Sequence, residues 1–571
     1  MDALDSSVIA EIATRLFREI PGANSLPENT GEAMNAAADP ITADKGSPQD
    51  RGEPRLPPAG LSGEGLDLGL IDGIFQSLGR KNVTVLPSPD EQPPLREHAD
   101  ALVRSQLYSG DNGSSDSLKS FVRKVETGYR VPGSLPADGV CVDPFALLLK
   151  ESLPATPKFT SPGIFDVNAI RRDFPVLHQQ VHGKPLVWFD NAATTQKPKT
   201  VINALARFYE KNNSNIHRGA HALAARATDA YEESRKKIAR FLGAGTPEEI
   251  IFVRGTTEGI NLVAQSYGRR FIAPGDEIVL SVLEHHANIV PWQILAQEKK
   301  AVLRIIPVND EGEILLDRYE SLLGPRTKLV ALTHASNSLG TILPIEDMIR
   351  TAKRYGAKVL IDGAQSVAHL PVNVQSLDAD FFVFSGHKIF GPTGIGVLYG
   401  KKELLEAMPP WQGGGNMIRN VTFEETTYNG LPAKFEAGTP NIADAVGLGA
   451  ALDYVFLIGL ENIGRYEKTL LDYATNQLKQ IPQLRLIGTA REKVAVLSFI
   501  LKDRTPEEVG RLLDGEGIAV RAGHHCAQPS LRRFGLEATV RPSLSFYNTK
   551  EEIDRLAEVL RKIVAERRRG Y

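Results

Sequence analysis

From Asp166 onward, short apolar runs alternate with stretches in which apolar residues recur at helical spacing. Apolar runs too short for a helix and bounded by turn-forming residues read as strands. Strands are predicted at Ile250–Val253, Glu277–Ser281, Val302–Pro307, Leu329–Thr333, Lys358–Asp362, Phe381–Ser385 and Gly396–Tyr399. Helices are predicted at Lys199–Lys211, Ala222–Leu242, Thr257–Tyr267, Val290–Lys300 and Ile345–Tyr355. The alternation predicts an α/β fold with a mostly parallel sheet covered on both faces. Beyond about residue 430 the pattern is less regular. Helices at Ala443–Val455, Gly464–Gln480 and Lys550–Arg567 surround shorter strands such as Val494–Ile500. This predicts a large domain over residues 186–429 and a small one built from 166–185 and 430–571. No internal repeat is evident.

The first 165 residues differ in kind. They hold nearly half of the chain's 36 prolines, and stretches rich in Pro, Gly, Ser and charge bury too little apolar area to offset an ordering entropy of about 1–2 kcal/mol per residue. A mostly disordered extension is predicted, interrupted by three short apolar islands. One is an amphipathic helix with Val8, Ile9, Ile12, Leu16 and Phe17 on one face, stopped by Pro21; the others are Leu66–Leu78 and Pro144–Leu149. Such islands resemble docking motifs that fold on a partner, or segments that pack back on their own enzyme.

Composition narrows the setting. A net charge of -3 over 571 residues with 42% apolar content gives no basic excess for nucleic acid. Two cysteines, Cys141 and Cys526, build no disulfide framework. The acidic start Met1-Asp2-Ala3-Leu4-Asp5 lacks the pattern of a signal peptide, and no run approaches the ~20 apolar residues of a membrane span. A soluble cytoplasmic protein without membrane or nucleic-acid partners is expected.

The candidate chemistry gathers at the ends of predicted strands. Asp362 closes one strand, and Ser385-Gly386-His387-Lys388 follows another. A lysine for an aldehyde carbon and an acid that keeps a pyridine nitrogen protonated are what pyridoxal phosphate requires. Arg254-Gly255-Thr256-Thr257-Glu258-Gly259 opens a helix, where Thr256 and Thr257 suit a phosphate, with Ser385 and His387 nearby. His285, in Glu284-His285-His286-Ala287-Asn288, suits stacking on the ring, and Gln365 suits its oxygen. Each has a plainer reading: a solvated lysine, a capping threonine, an acid that caps the next helix. Four such groups on one sheet edge match the way open parallel sheets bind ligands.

These motifs, together with Phe189-Asp190-Asn191-Ala192-Ala193, His217-Arg218-Gly219, Phe435-Glu436-Ala437-Gly438-Thr439-Pro440 and Arg521-Ala522-Gly523-His524-His525-Cys526, resemble those of SufS-type (type II) cysteine desulfurases. These are class V aminotransferase-like enzymes, and the likeness spans Asp166 to the C-terminus. It implies a pyridoxal 5'-phosphate-dependent fold type I enzyme with large and small domains, acting in sulfur metabolism such as iron–sulfur cluster assembly. By the same resemblance L-cysteine is the substrate, Cys526 the persulfide-bearing nucleophile with His524 and His525 beside it, and Lys388 the cofactor lysine. Arg541 holds the substrate carboxylate, Asn337 lies near the ring oxygen and substrate, and His217 and Arg218 stand at the entrance. Thr439 resembles a residue that reaches the phosphate of the other subunit, which implies a homodimer, and the short connection to Cys526 implies a docking sulfur-acceptor protein. Selenocysteine lyase shares this cofactor site and is the competing enzyme reading. The N-terminal islands, Ile9–Phe17 above all, resemble more loosely the cargo-loading motifs of extended desulfurases packaged in encapsulin shells, which implies a protein nanocompartment. A regulatory linker is the plainer alternative.

Overall fold

The computed structural model describes residues 165–217 and 219–568; the N-terminal extension with its three islands, Cys141 and Arg218 lie outside the described residues. Seven strands form the main sheet: β1 (Ile250–Val253), β2 (Glu277–Ser281), β3 (Val302–Ile306), β4 (Thr327–Thr333), β5 (Lys358–Asp362), β6 (Phe381–Ser385) and β7 (Gly396–Gly400). Their order is β1-β7-β6-β5-β4-β2-β3. Only β7 runs antiparallel to its neighbours. All seven predicted strands are present, four with the expected bounds and three with one end shifted by one or two residues.

The near-continuous apolar character of these strands has a direct cause. Successive side chains point to opposite faces, and both faces are covered. Ile251, Leu280, Leu329, Leu360, Val383 and Leu398 enter one buried cluster. Phe252, Val279, Val330, Val359, Phe384 and Val397 enter another. At about 1.5–3 kcal/mol for each fully buried large apolar side chain, these clusters dominate the sheet's stability.

The covering helices include α1 (Lys199–Arg207), α2 (Ala222–Leu242), α3 (Thr256–Val263), α4 (Val290–Lys299), α5 (Ile345–Arg354), α6 (Ile442–Ile458) and α7 (Leu460–Lys479). Helix α2 starts where His221 Nδ1 accepts the Ala224 N–H and stops at Gly243, whose φ of 65° lies in the left-handed region open to glycine. The predicted helices at 199–211 and 257–267 are shorter than expected: α1 and α3 pass into wider π-helical turns at Phe208–Asn212 and Ala264–Gly268. Among the described residues, no single helix is long and apolar enough to cross a membrane.

A second, antiparallel sheet contains β8 (Leu484–Ile487), β9 (Ser498–Leu501), β10 (Arg521–Gly523) and β11 (Thr539–Arg541), in the order β8-β9-β11-β10. Its apolar face packs with α7 and with α9 (Lys550–Arg568), which follows α8 (Gln528–Arg533). The strand expected at Val494–Ile500 begins only at Ser498. The residues before it are drawn elsewhere: Val494 N–H donates to Gly340 O at 2.9 Å and Leu497 N–H to Pro542 O at 3.0 Å. This segment therefore ties the second sheet to the loop after β4.

Candidate active site

The carboxyl ends of β2, β4, β5 and β6 open into a cavity of about 590 Å³, closed on the other side by residues 521–526 and Arg541. That is a normal volume for a small-molecule site. Asp362, the last residue of β5, is buried and accepts the Ala364 N–H at 2.9 Å. Burial raises its carboxyl above the usual range, while that hydrogen bond and the Lys388 charge pull the other way. The turn after it requires glycine, since a Cβ on Gly363 would stand 2.1 Å from Phe382 Cζ. Lys388 closes the short 3₁₀ turn Gly386–Lys388 beyond β6. Burial lowers its ammonium below the ordinary lysine value, opposed chiefly by Asp362.

Thr256 begins α3 beside Gly255. Its N–H donates to Ser385 Oγ at 2.9 Å, and the two hydroxyls are also 2.9 Å apart. Thr257, Ser385 and His387 share this wall. The partial positive charge of a helix N-terminus and paired hydroxyls suit an anion. Gln365 Nε2 donates to Ala192 O at 2.6 Å. His285 Nδ1 accepts the Ala287 N–H at 3.0 Å, so its proton sits on Nε2. Burial, then the Lys388 charge, pushes its pKa down to about 3, so the ring is neutral.

On the opposite wall Arg541 is buried. It donates to Asn337 O at 2.8 Å and contacts Asp190 at 3.4 Å; burial lowers it to about 10. Arg541 Nε, Asn337 Oδ1 and His525 Nδ1 are buried with no hydrogen-bond partner among the described residues. A polar ligand at this wall would satisfy such groups, which are costly to leave unpaired. Cys526 is exposed. Its N–H donates to His524 Nδ1 at 2.9 Å, and its carbonyl accepts from His286 N–H at 2.8 Å.

The structure brings together Lys388, Asp362, Gln365, His285, Thr256, Thr257, Ser385, His387, Asn337, Arg541 and Cys526. Two expected residues lie apart. His217 does not line the cavity; its Nε2 is 3.0 Å from Glu232 Oε1. Thr439 lines a neighbouring recess with Arg254 and Trp411 and accepts from Asn215 Nδ2 at 3.3 Å. Sequence reasoning gave no role to Asp190, which accepts from Arg521 at 2.7 Å as well as from Arg541. Nor did it find Lys197, whose ammonium donates to His387 O at 3.1 Å and is lowered to about 8 by burial. Asp190 lies in one of the motifs quoted above, but nothing local gives its role, and nothing local marks Lys197: their partners stand 331 and 190 residues away.

Comparison with known proteins agrees with this geometry. A cysteine desulfurase of Synechococcus elongatus is 62% identical over 421 residues, 73% of this chain and 67% of the relative. A probable cysteine desulfurase of Mycobacterium leprae is 63% identical over 400 residues, 70% of this chain and 66% of the relative. The chain thus spans about two thirds of their length. A Salmonella agona cysteine desulfurase, 52% identical, is covered over 98% of its length. Among solved structures, the Escherichia coli cysteine desulfurase CsdA matches with a TM-score of 0.66 at 40% identity, covering 71% of this chain and 99% of that one. A Thermococcus onnurineus cysteine desulfurase matches at 0.67 and 40%, covering 70% and 98%. The aminotransferase class-V family model matches residues 187–556, and with the main sheet and the whole cavity inside that match, this chain belongs to the class-V aminotransferase family.

Proposed function

We propose that the protein is a pyridoxal 5'-phosphate-dependent cysteine desulfurase that moves the sulfur of L-cysteine onto Cys526 and leaves L-alanine. The observation that carries this reading is the convergence of Lys388, Asp362, Arg541 and Cys526 on one cavity. Identity above 60% to relatives named as cysteine desulfurases supports it.

The residues fit the cofactor by their chemistry. Asp362 suits a pyridine nitrogen, Lys388 an aldehyde carbon, Gln365 the ring oxygen and neutral His285 a ring face. Thr256, Thr257, Ser385 and His387 suit a phosphate. When bound, pyridoxal phosphate supplies an electron sink that labilises bonds around the substrate's α carbon. Arg541 Nε is a free donor for the substrate carboxylate, and Asn337 Oδ1 a free acceptor for its ammonium. Lys388, its ammonium destabilised by burial, is suited to move a proton at the α carbon. The Cys526 thiolate attacks the substrate sulfur. An S–S bond forms as the C–S bond breaks, and the electron pair left on carbon takes up a proton to give alanine.

Thr439 is assigned to the cofactor phosphate of a second subunit, and His217 and Arg218 to the entrance, which makes the active assembly a homodimer. The short stretch from β10 to Cys526 restricts the reach of the persulfide and favours a docked sulfur-acceptor protein. The proposal extends to the N-terminal segment, with Ile9–Phe17 addressing the enzyme to an encapsulin shell. The Salmonella match, 98% of that relative but 70% of this chain, supports a role for the extension outside catalysis.

Cys526→Ala tests the assignment. Persulfide formation is expected to vanish and cysteine turnover to fall at least ~100-fold, with the cofactor's absorbance unchanged. Wild-type cysteine turnover in this variant would remove Cys526 as nucleophile. Retention of selenocysteine turnover alone would favour a selenocysteine lyase.

A further inference from the structure

His525 and Cys526 both have φ of 53°, two successive side-chain-bearing residues in the left-handed region. L-residues avoid this conformation, so the turn needs restraint from outside. One restraint is backbone-directed: Asn337 Nδ2 donates to His525 O at 2.7 Å. The other runs through the buried His525 ring. Its Nε2 is 2.8 Å from Thr539 Oγ1; Thr539 Oγ1 is 3.3 Å from Ser498 Oγ; Ser498 Oγ is 2.6 Å from Ser338 O.

The proton order in this chain is forced from its far end. A carbonyl only accepts, so the Ser498 hydroxyl proton goes to Ser338 O. Ser498 Oγ then accepts from Thr539, and Thr539 Oγ1 accepts from His525 Nε2–H. Ser338 follows Asn337 in the chain, so the links close into a ring: His525 ring, Thr539, Ser498, Ser338, Asn337 and back to the His525 carbonyl. Ser338 Oγ also lies 3.2 Å from Ser530 Oγ in α8, just beyond Cys526. Both flanks of the nucleophile are thus anchored to one segment, Asn337-Ser338.

We propose that His525 is a positioning residue for Cys526: its ring, fixed by the Thr539–Ser498–Ser338 chain, holds the left-handed turn that presents the thiol to the cavity. This rests on the assignment of Cys526 as nucleophile.

The isosteric change Thr539→Val removes the hydroxyl and alters no charge. The groups around the thiol, Lys388, Arg521, Arg541, His286 and His524, therefore keep their charges, and any change in thiol reactivity reports geometry. In the holoenzyme, Thr539→Val is expected to slow iodoacetamide alkylation of Cys526, measured without cysteine, about fivefold. It lowers kcat for alanine formation about tenfold, with KM for cysteine within about twofold. Thr539→Ser restores both. Ser498→Ala, one link further out, reproduces the loss in milder form and serves if Thr539→Val does not fold. Wild-type alkylation and kcat in folded Thr539→Val or Ser498→Ala would overturn the proposal, as would a Thr539→Ser variant as impaired as Thr539→Val. Full cysteine turnover in Cys526→Ala would instead overturn the nucleophile assignment, leaving the alkylation comparison to judge the turn.

Discussion

Glu284 shows how burial rather than residue type sets the chemistry of a single side chain here. It is wholly buried, with Ser281 Oγ at 2.5 Å and Asn288 Nδ2 at 2.7 Å. Burial raises its carboxyl from 4.5 to about 8. The folded chain thus holds a proton that the unfolded chain releases above pH 4.5, so this group's contribution to stability is lost as pH rises towards 8. The histidines have the opposite sign. His285, His334 and His387 are held neutral by burial, lowered from 6.5 to about 3, 4 and 4, and their contribution is lost as pH falls below 6.5. Thermal unfolding between pH 6.5 and 8 separates the two. Glu284→Gln, neutral throughout, is expected to lose less stability over that range than the wild type, and equal slopes would contradict a protonated Glu284. At this scale the sequence was legible where a reactive type followed an apolar strand, as with Asp362, Ser385 and Lys388. It was not legible where function needed a distant partner, as with Asp190 between Arg521 and Arg541.

Between elements, a buried ion pair fastens α2 to the main sheet. Arg235 and Glu436, 1% and 3% exposed, meet at 2.7 Å. Glu436 also accepts from Phe252 N–H in β1 and from the Tyr231 hydroxyl, while Arg235 donates to Ile250 O. A pair this well satisfied need not stabilise more than an apolar substitute, but removing one partner strands a buried charge. Arg235→Met is expected to cost about 3–5 kcal/mol in chemical denaturation; a loss below ~1 kcal/mol would mean that Glu436 finds another partner. The main strands were readable because both faces of each are buried, which leaves an unbroken apolar run. Val494–Leu497 gave the same signal and was misread. Its backbone bonds to Gly340 and Pro542 and makes a single isolated bridge, Val496 to Ser543, so apolarity reported burial there rather than a continuous strand. The π-helical turns after α1 and α3 carry no such signature, since one extra residue in a turn leaves the apolar spacing nearly unchanged.

Across the whole molecule, the family match covers residues 187–556 and the cavity lies within it. Among the described residues, the lining of that cavity runs from Ala192 to Arg541. A chain starting at residue 165 is therefore expected to turn over cysteine within about twofold of the full chain, while failing to co-purify with an encapsulin shell protein. Packaging of the shortened chain would move the address elsewhere. Lys388, Asp362, Arg541 and Cys526 come together from separate strand ends of two sheets, and the central claim is that they act as one desulfurase. The most direct measurement is incubation of the cofactor-loaded protein with L-cysteine, quantifying alanine and the mass of the Cys526-containing peptide. Alanine appearing together with one added sulfur atom on that peptide is the predicted result. Alanine without sulfur on Cys526, or no alanine at all, would contradict it.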